Sequence, residues 1–182
     1  MPHRLVTAST IALLLAASAA AEGEKPPHPL EPFFGTWVGE AHGRSMSGDT
    51  YDIVQTERVG PMLSGDIAVI EGRGYSDDGT LAFNAFAVVH CKTPEACKMQ
   101  SYVDGRSGNF DLVPTETGFE WTIPLPNEAK VVYTATLEGD VWTEVGHYHP
   151  LEGEPVETVR LRVTRTGDTD WPGEGALVPP EE

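Results

Sequence analysis

Short β-like runs recur along this chain at roughly ten-residue spacing, and no stretch between them has the periodicity of a long amphipathic helix. Turn residues separate the runs, for example at Asp77–Gly79 and Glu138–Asp140. The predicted strands are 36–42, 50–59, 63–74, 81–91, 97–104, 109–114, 118–123, 130–138, 141–149 and 156–166. A meander of this length removes its exposed edges by closing. The sequence therefore predicts an all-β, about ten-stranded antiparallel barrel, with a sandwich as the alternative.

The segment that leads into the first strand predicts one end of the barrel. Pro29 and Pro32 prevent a long helix, so the apolar residues between and after them form at most a short 3₁₀-like plug. Trp37, Gly39 and Ala41 then share one strand face, because strand side chains alternate. A large indole followed by two small residues is typical of a strand that lines a cavity.

Alternation in later strands predicts an apolar interior. The same-face residues are Leu81, Phe83, Ala85, Ala87 and Val89; Phe119, Trp121 and Ile123; Val131, Tyr133, Ala135 and Leu137; and Val159, Leu161 and Val163. Arg165 continues the last set, so its guanidinium either stacks on the Trp37 indole or extends into solvent.

The predicted strands 50–59 and 141–149 add polar groups that suit a ligand-binding interior. If Glu57 or Glu144 is buried without an Arg partner, desolvation raises its pKa. Alternation alone does not decide which face is inside, so an outward position or a satisfied core position is the alternative. The candidate ligand-binding residues are Trp37, Tyr51, Gln55, Glu57, Phe83, Trp121, Tyr133, Trp142, Glu144, Tyr148 and Arg165.

Residues 1–21 predict a secretory signal peptide: Arg4 precedes an apolar run that ends in an A-x-A site, with cleavage near Ala21. We expect a periplasmic or secreted protein. The run is too short and too alanine-rich for a transmembrane span. The predicted domains are a flexible segment 22–29, a barrel 30–167 and a largely disordered tail 168–182.

Cys91 and Cys97 are the two cysteines of the chain. In an exported protein, such a close pair predicts a disulfide, which here would contribute about 2 kcal/mol because the loop is short. A redox or metal role is the alternative, but no second cysteine pair or histidine motif completes such a site.

The chain has 12 basic and 28 acidic residues, a formal net charge of −16. This charge argues against nucleic acid and anionic membrane surfaces as partners.

Familiar catalytic and cofactor motifs are absent from the sequence, and no catalytic residue is assigned. We interpret Gly72 and Gly74 as turn glycines. His147 and His149 are weak metal-ligand candidates, since an i, i+2 pair on a strand points to one side and His42 or His90 would have to join them. Two solvent-facing histidines are the simpler interpretation, and we expect no metal.

Three segments carry a family resemblance. They are 30–40 (Leu-x-Pro-Phe-Phe-Gly-Thr-Trp-Val-Gly-Glu), 142–146 (Trp-Thr-Glu-Val-Gly) and 159–167 (Val-Arg-Leu-Arg-Val-Thr-Arg-Thr-Gly). The chain resembles the lipocalin and calycin barrels, and more closely the bacterial lipocalin-like families of unknown function often labelled DUF1579. The resemblance implies an exported calycin-type barrel in which Trp37 and Arg165 seal the closed end.

The nitrobindins, a neighbouring calycin group, bind haem through a histidine in the last strand. The corresponding segment here, 156–161, contains no histidine. We therefore expect neither haem nor another cofactor.

The function expected from these features is the binding of a small hydrophobic or amphipathic molecule in the barrel lumen. One alternative is a barrel enzyme, of isomerase or hydrolase type, that uses Glu144 or Glu57 as an acid–base group. The other is a barrel filled by its own aromatic side chains that acts as a structural or interaction module.

Overall fold

The structure, a computed structural model, describes residues 26–44 and 48–172. Its ten strands are β1 (Gly35–Arg44), β2 (Thr50–Met62), β3 (Ile67–Tyr75), β4 (Leu81–Thr93), β5 (Ala96–Val103), β6 (Arg106–Pro114), β7 (Gly118–Pro124), β8 (Lys130–Glu138), β9 (Val141–His149) and β10 (Val156–Gly167). Each pairs antiparallel with the next strand in the chain, and β10 returns to pair with β1. The prediction of a closed antiparallel meander is confirmed.

The closure between β1 and β10 depends on a close approach of their backbones. Trp37 lies opposite Arg165, and Gly39 lies opposite Val163. A Cβ atom on Gly39 would lie 2.1 Å from the carbonyl oxygen of Arg162 and 2.7 Å from the Cα of Val163. Glycine at this position therefore lets the last strand reach the first.

The predicted strands match the observed ones to within a few residues, apart from the start of the third. Residues 63–65, expected as strand, form a 3₁₀ turn, Leu63–Gly65, before β3 begins at Ile67. Their φ angles are 51°, 55° and 81°. A strand cannot continue through three consecutive residues in the left-handed region.

One end of the barrel is covered by the predicted plug, a 3₁₀ turn at Glu31–Phe33. Leu30 and Phe33 are almost fully buried there. The Phe33 ring packs edge-on against Phe119 and Trp142, at centroid distances of 5.0 and 5.2 Å. The plug therefore adds its own aromatic contacts to the core at this end.

Cys91 and Cys97 are directly opposite each other in the β4–β5 ladder. Their sulfur atoms are 1.97 Å apart, at disulfide distance. The prediction that these two cysteines pair is confirmed.

Residues just after β10 pack on the outside of the barrel. The Asp170 carboxylate accepts a hydrogen bond from Arg58 at 3.0 Å, and the Arg58 guanidinium lies 4.5 Å from the Trp171 ring centroid. The predicted signal peptide 1–21 and the end of the tail, 173–182, lie outside the described residues, so the domain boundaries stay predictions. No helix within the described ranges has the length and apolar character needed to cross a bilayer.

Candidate functional site

The closed end is held by an arginine from the last strand. The Arg165 guanidinium lies 4.1 Å from the centroid of the Trp37 ring and donates hydrogen bonds to the carbonyl oxygens of Pro32, at 2.6 Å, and Phe34. Trp37 Nε1 in turn donates to the carbonyl oxygen of Phe33 at 3.0 Å. The expected cation–π pair is present, and it ties the plug to β1 and β10.

Glu57 points into the barrel from β2 and is 8% exposed. Its Oε1 accepts a hydrogen bond of 2.7 Å from Gln55 Nε2. Across the ladder lies Gly72, where a Cβ atom would come within 2.7 and 2.9 Å of the two carboxylate oxygens. Gly72 therefore provides the space that the Glu57 carboxyl fills. Gly72 and Gly74, expected in a turn, lie within β3, which corrects that interpretation.

Glu144 points inward from β9, on the far side of the closing strand pair. Its Oε1 accepts a hydrogen bond of 2.9 Å from Trp121 Nε1. The Trp121 ring stacks on Tyr133 with a centroid distance of 4.1 Å and an interplanar angle of 8°. This stacking fixes the direction of the indole N–H, and so it positions the carboxylate.

Trp142 adds a second indole beside the same carboxylate. Its Nε1 is buried and has no hydrogen-bond partner within the described residues. The N–H group is still close enough to Glu144 to lower the pKa of that carboxyl. The Trp142 N–H group thus interacts with the Glu144 carboxylate without reaching hydrogen-bond geometry, and it can still donate to a ligand atom.

The two carboxyls are perturbed mainly by burial. The pKa of Glu57 is raised to about 8, mainly by burial; the Gln55 hydrogen bond opposes this shift, and the negative charges of Glu144 and Glu71 add to it. Burial raises the pKa of Glu144 to about 6, against the two indole N–H groups, which lower it. At neutral pH, Glu57 is therefore mostly protonated and Glu144 mostly ionised.

No basic side chain in the described part of the chain offsets this acidity. The ion pairs of the described residues involve other carboxylates, and none includes Glu57 or Glu144. A buried charge without a partner is costly, since protein groups replace water poorly around it.

Both carboxyls line one cavity inside the barrel, of about 120 Å³, which is partly open to solvent. Its other lining residues are Ile70, Gly72, Phe83, Ala85, Phe86, Ala87, Met99, Ser101, Phe119, Trp121 and Trp142. Pockets for drug-sized ligands are several times larger, whereas a dry cavity of about 150 Å³ holds benzene. The lumen therefore suits a ligand with only a few non-hydrogen atoms.

The predicted site residues divide into four groups. Those that line the cavity are Glu57, Phe83, Trp121, Trp142 and Glu144. Gln55 and Tyr133 support them through the Glu57 hydrogen bond and the Trp121 stack, while Trp37 and Arg165 seal the closed end. Tyr51 and Tyr148 are not in the lining.

Sequence reasoning did not select several of the lining residues. Phe119 shares its strand face with Trp121, so alternation already placed it beside the site. Met99 and Ser101 lie two and four residues beyond Cys97, and the same rule would have found them. Nothing in the sequence marks Gly72 as part of the site, because this glycine matters only through the Glu57 side chain opposite it in the ladder.

Among the described residues, His147 and His149 are joined by no further metal ligand. Within 26–44 and 48–172, no three His, Cys, Asp or Glu side chains lie close enough together to hold a metal ion. His90 lies on β4, five strands around the barrel from His147 on β9. His42 instead contacts Asp52 and Glu40.

A larger depression, of about 360 Å³, lies near the β5–β6 hairpin. Phe86 and Tyr102, which are exposed, form part of its wall with Arg106. It contains no buried titratable group, so the internal cavity is the stronger candidate site.

These features define a closed ten-stranded antiparallel β-barrel with a small cavity lined by aromatic and acidic side chains. The chain is similar to the crystal structure of Rv2717c from M. tuberculosis, with a TM-score of 0.61 and 11% identity, covering 75% of this chain and 94% of that chain. At this identity the similarity shows the fold alone. No family model and no curated protein matches the chain, so the lipocalin-like and DUF1579 resemblance gains no support beyond the barrel.

Proposed function

We propose that this protein binds a small amphipathic molecule in the lumen of its barrel. The observation that carries the proposal is the internal cavity of about 120 Å³, in which Glu57 and Glu144 face aromatic walls. An apolar cavity with a few converging polar groups is the usual composition of a small-ligand site. The volume restricts the ligand to a short chain or a single small ring.

A cavity-filling variant tests this function. Ala87 is buried and lines the cavity, so Ala87→Leu places extra carbon atoms in the space that a ligand needs. Ala82, on the same strand, is exposed, and Ala82→Leu is the matched control. Benzene and isobutanol are suitable probes, read from the indole N–H signals of Trp121 and Trp142 by NMR.

The wild-type protein and Ala82→Leu should bind both probes, and Ala87→Leu should bind them at least about tenfold more weakly, as expected when a ligand-sized cavity is filled. Indole signals that do not respond to either probe in the wild-type protein would contradict an open lumen. They would favour the filled barrel that acts through its surface.

A second candidate function is acid–base catalysis. The observation that favours it is a pair of carboxyls beside one cavity with pKa values of about 8 and about 6. Two carboxyls with separated pKa values are the usual arrangement of a general acid and a general base. Glu144→Gln should abolish exchange of carbon-bound ligand protons with D₂O if the barrel is an enzyme, while binding alone would give no such exchange.

We include export in the proposed function. A cysteine pair at disulfide distance is consistent with an oxidising compartment, where disulfides persist. The mass of the protein recovered from that compartment should correspond to a chain that begins near Glu22. A full-length, cytoplasmic protein with two free thiols would contradict export.

A further inference from the structure

Three polar features of the cavity have unused bonding capacity. Glu57 uses one carboxyl oxygen for Gln55 and Glu144 uses one for Trp121. Trp142 Nε1 acts on Glu144 electrostatically but makes no hydrogen bond of normal geometry with the described residues. The second oxygen of Glu144 is a free acceptor, and the Trp142 N–H group is a donor. The second oxygen of Glu57 is a hydroxyl donor while the carboxyl is protonated and an acceptor once a bound cation favours the ionised form. All three residues line the same small cavity.

We propose that the ligand is a small amino alcohol, with its ammonium group between Glu57 and Glu144 and its hydroxyl oxygen on Trp142 Nε1. This inference rests on the proposed lumen-binding function and names the ligand class.

The ammonium group is indicated by the acidity of the cavity. Neither carboxyl has a basic partner in the described part of the chain, and the charge of Glu144 reaches Glu57 strongly enough to raise its pKa. Both carboxyls line this one small cavity, and Glu144 acts electrostatically on Glu57, so we place the ammonium nitrogen between them. The cation would replace the missing partner in a low-dielectric interior, where such a pair is strong.

The walls of the cavity suit an organic cation rather than a bare metal ion. Phe83, Phe119, Trp121 and Trp142 present aromatic surface around the carboxyls. Aromatic faces attract ammonium groups and also accommodate the methylene groups attached to them. A divalent cation would need more oxygen ligands than two carboxyls provide, and the described residues hold no such group.

The hydroxyl group is indicated by Trp142. Its Nε1 is a donor on a side chain that is only 2% exposed, and buried donors normally have an acceptor. An ammonium group cannot accept a hydrogen bond, whereas a neighbouring hydroxyl oxygen can. The overall charge of −16 favours the approach of a cationic ligand.

Four probes of similar size separate the contribution of the ammonium group to binding from that of the hydroxyl group. In 1-amino-2-propanol both groups are present. Isobutylamine replaces the hydroxyl with a methyl, isobutanol replaces in addition the ammonium of isobutylamine with a hydroxyl, and isobutyrate replaces that end with a negatively charged carboxylate. Titration calorimetry and tryptophan fluorescence at about pH 7.5, where aliphatic amines are protonated, give the four affinities.

We expect 1-amino-2-propanol to bind at least about fivefold more tightly than isobutylamine and at least about tenfold more tightly than isobutanol, with isobutyrate not binding. Glu144→Gln should lose the preference for the ammonium ligands while isobutanol binding changes by less than about threefold, which shows that the cavity remains intact.

If isobutylamine or isobutanol binds the wild-type protein as tightly as 1-amino-2-propanol, or more tightly, the amino-alcohol assignment is overturned. If isobutanol and benzene bind and the two amines do not, the lumen-binding function stands and this assignment fails. If none of the probes binds, both fail. The comparison uses the wild-type protein, so it does not depend on how a variant folds.

Discussion

At the residue scale, the barrel is distinguished by two inward glutamates, Glu57 and Glu144, that form no ion pair with a basic side chain among the described residues. Glu57 remains mostly protonated at neutral pH because burial raises its pKa to about 8. The free energy of unfolding is then linked to pH. An unfolded glutamate titrates at about 4.3, so between that pH and about 8 the unfolded chain releases a proton that the folded chain keeps. Stability therefore falls as the pH rises through this range.

Glu57→Gln should remove this pH dependence, because an amide is neutral throughout. We expect the variant to exceed the wild-type protein in free energy of unfolding by about 3–5 kcal/mol at about pH 9 and to match it at about pH 4. Urea denaturation across this range measures the difference. Glu120→Gln, on an exposed side chain, is the control, and it should follow the wild-type curve. Parallel curves for Glu57→Gln and the wild-type protein would contradict the buried, protonated state.

Arg165 should contribute to stability by holding the plug to the barrel. Its planar guanidinium stacks on Trp37 and donates to the Pro32 and Phe34 carbonyls, and a lysine ammonium cannot reproduce both contacts. Arg165→Lys should therefore reduce the free energy of unfolding by about 1–3 kcal/mol. Arg162, the exposed neighbour on β10, is the matched control.

Arg162→Lys should change stability by less than about 0.5 kcal/mol in the same urea titration. If the two lysine variants were equally stable, Arg165 would not hold the plug to the barrel.

At the scale of elements, strand existence and strand faces were predictable from turn residues and alternation. The predicted bounds of β8 and β9 are the observed ones, because Gly139 and Asp140 form a clear turn between the strands and Pro150 ends β9. The prediction that residues 63–65 belong to a strand was wrong, because an apolar residue such as Leu63 gives no sign in the sequence of a left-handed φ angle. The inward position of Glu57 was also left open. It follows from the pairing of Glu57 with Trp37, which is a property of register and not of β2 alone.

The close approach of the β1 and β10 backbones at Gly39 leaves no room for a larger residue. In Gly39→Ala the new methyl group meets main-chain atoms of Arg162 and Val163, which no rotamer change can move away. We expect a loss of at least about 3 kcal/mol in the free energy of unfolding, and faster amide hydrogen exchange in β1 and β10. Glu40→Ala, at the next and outward-facing position, is the control. Wild-type stability in Gly39→Ala would contradict the tight closure.

At the scale of the whole molecule, the barrel was predictable but its interior volume was not. Nine consecutive hairpins form the meander, and the pairing of β10 with β1 closes it so that each of the ten strands has two neighbours. The cavity is formed by side chains from strands far apart in sequence, such as Ile70, Met99 and Trp142. Its size depends on how these side chains pack together, which alternation within single strands does not reveal. For the same reason, the meeting of Glu57 and Glu144 in one space emerged only from the structure.

Whether the lumen holds a small ligand can be read from native mass spectrometry of the protein purified from its own cellular compartment. We predict a reproducible additional mass of a few non-hydrogen atoms that disappears on denaturation and is absent from Ala87→Leu. Absorbance in the Soret region would instead reveal haem. A mass equal to that of the polypeptide alone, unchanged after incubation with 1-amino-2-propanol or isobutanol, would contradict the account.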